Sequence, residues 1–283
     1  ITKFRPLPTS RGFLMTVTFT APQFSTARRT PVRAEVVAHG VTIDRLAGDD
    51  SLPSGLDRSD LRRLGFEAKG GQVQVVPVDG RLVAAVGLGD AEGLSLDGLR
   101  RAAASLARAV RTHRSLATDL ASAASDADGL IEAESAGVVV EGLTLALYRF
   151  GYQSSGGARG GDRLTRVTLV GSTAAGVRNA VTRAEAVVAG VVLARDLVNE
   201  PGGSLTPPKF ANRVRRMARD RGLTIKVMDE AAIRRARLGG LLGVNRGSTQ
   251  PPRFVELTWT PKDRPKGTLA LVGKGLTFDA GGL

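Results

Sequence analysis

Segments rich in β-branched residues alternate along this chain with segments of helical periodicity, and this alternation restricts the available folds more than any other feature. Gln72–Val78 and Arg81–Val86 are predicted to be two strands joined by Asp79-Gly80, a pair typical of tight hairpin turns. A helix with apolar residues at helical spacing is predicted to begin near Ser95. Strands that alternate with helices predict an α/β fold.

The rest of the chain continues the same alternation. A long helix is predicted from about Ala175 to Val198, because its valines fall on one face. Asp50–Gly55 and Ser122–Asp128 are predicted to be loops. The other predicted elements are the helices Leu130–Tyr148, Pro207–Arg221 and Glu230–Arg237 and the strands Arg163–Val170, Thr224–Met228, Phe254–Thr260 and Thr268–Val272.

These elements divide into two α/β units joined by a helix. We expect an N-terminal α/β domain over residues 15–172, a linking helix over 173–200 and the first part of a C-terminal α/β domain over 201–283. Residues 1–14 precede Met15 and have no hydrophobic periodicity, so we interpret them as a leader or tag, with a transit peptide as the alternative. The sequence stops directly after a strand and a glycine-rich turn, from which we expect a truncated chain.

The formal charge of +13 is unevenly distributed. Residues 15–200 contain equal numbers of basic and acidic residues, whereas residues 201–283 contain sixteen basic and six acidic ones. The arginines of this second unit suggest a nucleic-acid-binding face. We favour a solvated or subunit-contacting face instead, since aromatic residues available for base stacking make up only 4% of the chain. The arginines in question are Arg213, Arg215, Arg216, Arg219, Arg221, Arg234, Arg235 and Arg237.

Composition excludes several classes of protein. The chain has no cysteine, which excludes disulfides, thiolate metal sites and a cysteine nucleophile and fits a cytoplasmic protein. The longest apolar run, Ala186–Ala194, is shorter than the roughly 18 residues of a membrane span, so we expect no membrane partner. Hydrophobic residues at 42% and charged residues at 24% give the balance of a globular protein rather than a disordered one.

Several short motifs favour a structural role over a chemical one. Gly87–Gly93 lies between a strand and a helix, but its glycine spacing is one residue too long for a dinucleotide loop, and we interpret it as a tight turn. Gly273-Lys274-Gly275 lacks the spacing of a phosphate loop. His39 and His113 show no metal-ligand spacing. A serine–histidine–aspartate triad remains open, although no G-x-S-x-G turn supports one.

Lys274 and Asp279 form the most informative pair of polar residues. A predicted strand leads to Lys274, and Asp279 follows five residues later across a turn. An aspartate is a hard oxygen ligand, whereas a lysine binds a metal only as the neutral amine, which requires a nearby dication to lower its pKa. From the residues alone, a pair of metal ligands and a surface ion pair are equally compatible with this spacing.

The stretch Leu269–Leu283 resembles the signature of the leucine aminopeptidase (cytosol aminopeptidase) family of dimetal peptidases. Other segments match the same family in the expected order, so that the resemblance covers most of residues 80–283. The matching segments are Val272-Gly273-Lys274-Gly275 with Thr277-Phe278-Asp279 and Gly281-Gly282, Arg195–Pro201 with Leu205-Thr206-Pro207, Gly243–Ser248 with Pro252-Arg253, and Glu141–Phe150.

The resemblance implies a metal-dependent aminopeptidase that forms hexamers in the cytoplasm and removes N-terminal residues, often leucine, from peptides. In this family two divalent metal ions (zinc, manganese or magnesium) bind the free amine and polarise the scissile carbonyl for attack by a metal-bound water. By resemblance, Lys274 is a ligand of the more exchangeable metal, and Asp279 is a carboxylate that helps hold both metals. Residues 201–283 are then the first part of the catalytic domain.

Other parts of the family site have no counterpart in these residues. The family site also requires a catalytic lysine shortly after the Gly-Gly pair, further Asp and Glu ligands, and an arginine that holds a bicarbonate acting as base. All of these are expected beyond Leu283, and Ala280 replaces the Ser or Thr common at its position. We therefore predict that this chain contains no catalytic side chain and is inactive alone. The alternatives are a DNA-binding role, as in some bacterial members of the family, and a non-catalytic truncated homologue.

Overall fold

The computed structural model of the protein describes residues 19–151, 163–263 and 265–277. The predicted leader over residues 1–14 and Asp279 lie outside the described residues. The chain divides into two compact units, of which one contains residues 15–195 and the other residues 196–283. In the described part of the chain, no helix combines the length and the apolar character that a bilayer crossing requires.

The first unit is built around a mixed sheet flanked by helices, which confirms the predicted α/β class. The strands follow the spatial order β1-β6-β5-β2-β4-β3; the first five are parallel, and β3 is antiparallel to β4. The strands are β1 Gln23–Ala27, β2 Val36–Thr42, β3 Val73–Val78, β4 Arg81–Gly89, β5 Ser115–Thr118 and β6 Arg166–Val170. The helices are α1 Ile43–Ala47, α2 Arg58–Arg63, α3 Leu96–Val110, α4 Leu120–Asp128, α5 Glu132–Leu147 and α6 Ala175–Asn199.

The hairpin of β3 and β4 forms where the sequence predicts it. Asp79 and Gly80 both have positive φ angles, 47° and 75°, as the mirror-image turns of two-residue hairpins require. The amide of Gly87 donates to the carbonyl of Gln72, and the alternation of the ladder from this pair places Pro77 where a backbone amide would point away from β4. The open edge of the sheet at β3 is therefore interrupted by a residue without an N–H group.

Both faces of the sheet are covered, because alternate residues of β4 enter different hydrophobic clusters. Ala84 and Val86 pack with the helices α3 and α5 in the larger cluster. Val83 and Ala85 join the smaller cluster, which includes the fully buried Phe66. This pattern is expected of a central strand with helices or loops on both sides, whose sequence is apolar throughout rather than alternating.

Two predictions for the first unit need correction. Ser122–Asp128, predicted to be a loop, belongs to helix α4, which is rich in alanine, buries Ala124 and ends at Gly129 with a φ angle of 62°. Asp50–Gly55 is irregular only in part, because Pro53–Gly55 forms a short 3-10 turn. Both segments were predicted to be loops because they are rich in polar residues. In each of them an apolar residue is nevertheless buried, Ala124 in the first and Leu52 in the second.

The second unit contains α7 Pro207–Asp220, β7 Thr224–Met228, α8 Glu230–Arg235, α9 Gly239–Val244 and β8 Phe254–Thr258, with β7 and β8 antiparallel. The predicted strand Thr268–Val272 is wrong: these residues have no regular secondary structure, and Leu269, Leu271 and Val272 are more than four-fifths exposed. A strand exists only when a neighbour accepts its hydrogen bonds, and none of the described strands pairs with this segment.

Candidate functional site

The predicted metal ligands lie at the end of the described chain. Lys274 is exposed in a stretch without regular secondary structure, and Asp279 lies outside the described residues. Among the residues that the structure describes, no group of three or more His, Cys, Asp or Glu side chains is arranged to hold a metal ion. The described residues therefore do not form the dimetal site of the family by themselves, and Lys274 contributes an accessible amine rather than a preformed ligand.

The motif Gly243–Ser248 forms part of an open depression within the second unit. Helix α9 ends at Val244, and Asn245–Gly247 continue as a 3-10 turn. Together with residues 249–251 and α8 they line a depression of about 510 Å³. On its wall the Arg234 guanidinium is 2.6 Å from the Glu230 carboxylate. The depression is open and lined mainly by polar residues.

Two other matching motifs meet at the end of α5. The guanidinium of Arg195 lies over the ring of Tyr148, 5.4 Å from its centroid, and donates to the carbonyl of Leu145 at 3.4 Å. The same ring makes an edge-to-face contact with Phe19 at 5.7 Å. Both contacts are stabilising aromatic interactions, so these motif residues have a structural role in the first unit.

The arginines of α7 and α8 are partly paired. Arg213 forms an ion pair with Glu200, whose side chain is only 7% exposed, and Arg215 donates to Asn212 at 2.9 Å. Arg234 is bound to Glu230 as described above. The carboxylates of Glu200 and Glu230 reduce the positive potential that a nucleic-acid phosphate would meet at this surface.

The glycines of Gly87–Gly93 have a structural explanation. A Cβ atom on Gly87 would lie 2.2 Å from the carbonyl oxygen of Lys69, so that only glycine permits the approach of the two backbones. Gly89 has a φ angle of 80°, and Ser95 then caps α3 through its hydroxyl. The tight-turn interpretation of this motif is therefore supported by its contacts.

A polar constellation that the sequence prediction did not assemble joins His39 in the middle of β2 to Asp119, which directly follows the neighbouring strand β5. The His39 Nδ1 atom is 2.6 Å from an Asp119 carboxylate oxygen, and its Nε2 atom is 2.6 Å from the Ser54 hydroxyl. The other Asp119 oxygen accepts the amide of Gly40 at 3.0 Å. The only sequence signal for this arrangement was an acidic residue directly after the short strand β5, and that strand was not predicted. His113, by contrast, is near the carbonyl of Val110 at 3.3 Å and joins no such cluster.

Comparison with known sequences assigns both units to one family. The model of the cytosol aminopeptidase family catalytic domain matches residues 192–283, and the model of its N-terminal domain matches residues 52–155. A probable cytosol aminopeptidase of Rippkaea orientalis is 34% identical over 238 residues, which are 83% of this chain and 48% of that protein. One from Rhodococcus jostii is 33% identical over 279 residues, which are 93% of this chain and 53% of that protein. The chain thus spans about half the length of the curated relatives that it matches.

Solved structures lead to the same family. The bottromycin maturation enzyme BotP in complex with Mn is 39% identical, with a TM-score of 0.68 over 81% of this chain and 46% of that one. A mutant of tomato leucine aminopeptidase is 26% identical, with a TM-score of 0.80 over 92% of this chain and 56% of that one. Family models, relatives and solved structures agree with the motifs around Lys274 and Arg195, and the chain belongs to the cytosol aminopeptidase family.

Proposed function

We propose that this chain functions as part of a metal-dependent aminopeptidase that releases N-terminal residues, preferably leucine-like ones, from peptides. The observation that carries this proposal is the ordered signature from Val272 to Gly282 inside the region that matches the family's catalytic domain. The relatives named probable cytosol aminopeptidases support the same activity.

Lys274 and Asp279 are the residues that we propose as metal ligands. By their resemblance to the family signature, Lys274 would be a ligand of the more exchangeable metal and Asp279 would help to hold both metals. The cofactors are then two divalent ions, manganese, zinc or magnesium, with bicarbonate as an accessory base. The Mn complex of BotP supports a divalent metal for the family. Such ions would supply Lewis-acid polarisation of the peptide carbonyl.

We also propose the domain boundaries and the oligomeric state of this aminopeptidase. We assign residues 15–172 to the N-terminal domain, 173–200 to a linking helix and 201–283 to the first part of the catalytic domain. A hexamer in the cytoplasm with peptide substrates is the form suggested by the family resemblance. The mass of the protein purified from its source, compared with 29.6 kDa, establishes whether further residues are joined to this chain.

The aminopeptidase proposal is tested with the protein in the form in which the mass measurement finds it. Release of leucine from Leu-Gly-Gly and from leucine p-nitroanilide is measured with Mn²⁺, with Zn²⁺ and with a chelator. Lys274→Ala is expected to reduce metal content and activity by at least about tenfold, since even residues that only support metal ligands have effects of that size.

Lys266→Ala is the matched control for Lys274→Ala. Lys266 is an exposed lysine of the same irregular stretch but lies outside the signature. Its substitution should leave both metal content and activity unchanged. Equal effects of the two substitutions, or chelator-resistant peptide hydrolysis, would count against the proposed site.

The 283-residue chain alone is proposed to be inactive. The described residues contain no group of three or more His, Cys, Asp or Glu side chains that could hold a metal ion, and the family resemblance provides only Lys274 and Asp279 as ligands. Hydrolysis of leucine p-nitroanilide by this chain with Mn²⁺, at the rate of a complete family member, would overturn this point.

DNA binding by the arginines of α7 and α8 is the second candidate function. It rests on the excess of sixteen basic over six acidic residues in residues 201–283. Duplex binding that weakens steeply with salt, and that is lost in an Arg216→Ala/Arg219→Ala double variant, would support it. We favour the peptidase, because Arg213 and Arg234 already form ion pairs with carboxylates of the chain.

A further inference from the structure

We propose that Ser54 is an activated nucleophile, with His39 as its general base and Asp119 as the residue that positions the histidine, and that it accepts acyl groups from small carboxylic esters. The three side chains form one continuous hydrogen-bonded series, with 2.6 Å between Ser54 Oγ and His39 Nε2 and 2.6 Å between His39 Nδ1 and Asp119. This site lies wholly within residues 15–195 and shares no residue with the proposed metal site.

The direction of the hydrogen bonds follows from Asp119. A carboxylate only accepts hydrogen bonds, and one oxygen of Asp119 is already engaged by the Gly40 amide at 3.0 Å. A His39 ring that holds a single proton therefore carries it on Nδ1 and presents the lone pair of Nε2 to Ser54. The Ser54 hydroxyl donates to that lone pair, which is the arrangement in which an imidazole removes the proton from an attacking serine.

The base and the proposed nucleophile differ in exposure. The side chain of His39 is 8% exposed and that of Asp119 is 21% exposed, whereas Ser54 is exposed. The base is thus shielded from bulk water, while the residue that carries the proposed nucleophile lies at the surface.

The backbone at Ser54 adds a second, independent observation. Ser54 has φ 55° and ψ 30°, a left-handed conformation that costs a residue with a Cβ atom about 1 kcal/mol. The strained turn lies between Pro53 and Gly55 and places the hydroxyl on the histidine.

The chemistry balances without any further reagent. Ser54 Oγ attacks the ester carbonyl carbon as its proton passes to His39 Nε2, and the bond from that carbon to the alcohol oxygen then breaks. The leaving alkoxide takes the proton from Nε2, which leaves an acyl ester on Ser54. Water that gives its proton to the same nitrogen releases the carboxylic acid and regenerates the hydroxyl.

The test uses the 283-residue chain in the presence of a chelator, so that a failure of the metallopeptidase proposal does not affect it. The chain is treated with p-nitrophenyl acetate and, separately, with a small fluorophosphonate, and the modified residue is identified by tandem mass spectrometry. We expect modification of Ser54 at a rate at least about 100-fold above that of Ser59, the range of a positioned general base. Ser59 is a suitable internal control because it is exposed and donates to the Asp57 carboxylate instead of a histidine.

Variants separate a reactive serine from a merely structural hydrogen bond. Ser54→Gly suits the left-handed backbone and should abolish modification, while Ser59→Ala should leave it unchanged. Asp119→Asn still accepts the Gly40 amide through its oxygen, but its NH₂ group would face His39 Nδ1 and move the ring proton to Nε2. Folded Asp119→Asn should therefore lose at least about 100-fold in the rate of Ser54 modification.

His39→Gln removes the proposed general base and should likewise slow the modification of Ser54. Circular dichroism checks that each variant is folded. Ser54 modification no faster than that of Ser59, or equal modification in wild type and in folded Asp119→Asn, would overturn the proposal. If His39→Gln does not fold, the comparison of wild type with Asp119→Asn alone decides the matter.

Discussion

Two buried hydroxyl groups in the first unit differ in whether they form a hydrogen bond. On α5, the hydroxyl of Thr144 donates to the carbonyl of Val140 at 2.8 Å, whereas that of the fully buried Ser135 has no partner among the described residues. A buried hydroxyl without a hydrogen bond loses its hydration and gains nothing in return. These two residues therefore predict opposite responses to removal of the hydroxyl.

Ser135→Ala is expected to raise the free energy of unfolding by about 1 kcal/mol, because it removes an unsatisfied polar atom and introduces a better helix former. Thr144→Val is the control and should lower it by about 1 kcal/mol, because a satisfied hydrogen bond is lost without a change of shape. Urea unfolding followed by circular dichroism measures both. Destabilisation by Ser135→Ala would show that its hydroxyl has a partner after all.

Glu185 on α6 provides a pH-dependent prediction. Much of this side chain is exposed, but partial burial of its carboxylate raises the pKa, and the hydrogen bond from the Phe24 amide offsets only part of this effect. The folded pKa is thus above the unfolded value. The protonated group contributes stability below the unfolded pKa, and this contribution is lost as the pH rises through the folded pKa.

Wild type should therefore lose stability relative to Glu185→Gln as the pH rises from acidic values towards neutrality. The effect is expected to be small, since solvent screens a carboxylate at this depth. Urea midpoints of both proteins across this pH range test it, and a difference that stays constant with pH would contradict the assignment.

At the scale of the secondary-structure elements, the close packing of α3 against α5 depends on Gly142. A Cβ atom on Gly142 would lie 2.2 Å from the carbonyl oxygen of Arg100 and 2.9 Å from the Ala103 side chain. The same helix contains Gly137, where the nearest atom to an added Cβ is 3.9 Å away. The two glycines of α5 thus differ in the space available for a side chain, although they lie in the same helix.

Gly142→Ala should destabilise the protein by at least about 2 kcal/mol, because helix backbones cannot yield as a flexible side chain would. Gly137→Ala should instead stabilise it by about 0.5 to 1 kcal/mol through the lower backbone entropy of alanine. Thermal unfolding of both variants provides the comparison. Similar effects of the two substitutions would show that α3 and α5 are further apart than described.

The elements that sequence predicted well are those whose signals are local. The turn residues Asp79-Gly80 and the cap Ser95 are sufficient to define the β3–β4 hairpin and the start of α3. Helix α4 was missed because its short polar sequence resembles a loop until its alanines pack. The strand predicted at Thr268–Val272 failed for the opposite reason, because its apolar sequence has no hydrogen-bonding neighbour among the described strands.

At the scale of the whole molecule, the buried residues are concentrated in residues 15–195. The two hydrophobic clusters both belong to that unit. The buried hydrophobic residues described in residues 196–283 are Leu205, Ala211, Val214, Ala218 and Ile233. The same region exposes large apolar side chains, including Trp259 at 71% and Val272 at 97%. Local stability follows buried apolar contact, so the two units should differ in their opening free energies.

Hydrogen exchange of the 283-residue chain should reveal this difference. Amides of β2 and β4 are expected to exchange slowest, while those of β7, β8 and residues 265–277 exchange at least about 100-fold faster. Mass spectrometry of peptic fragments resolves these segments. Comparable protection of β8 and β4 would mean that the second unit has a core of its own.

The candidate sites show the same division between local and tertiary information. Lys274 and Asp279 were found because they lie five residues apart in one recognisable stretch. Ser54, His39 and Asp119 are separated by up to 80 residues and meet only after β2 and β5 pair. No short sequence motif indicates that these three residues are in contact, so the contact is recognised only in the folded structure.

Pro77 on the outer strand β3 has a consequence for how copies of this protein behave at high concentration. An exposed strand can serve as a template on which another chain continues the sheet, which is the first step towards fibrils. The backbone nitrogen of Pro77 faces the open side of β3 and carries no hydrogen, so an added strand could not accept a hydrogen bond from it. Pro77 therefore disfavours the addition of strands from other copies at the β3 edge of the sheet.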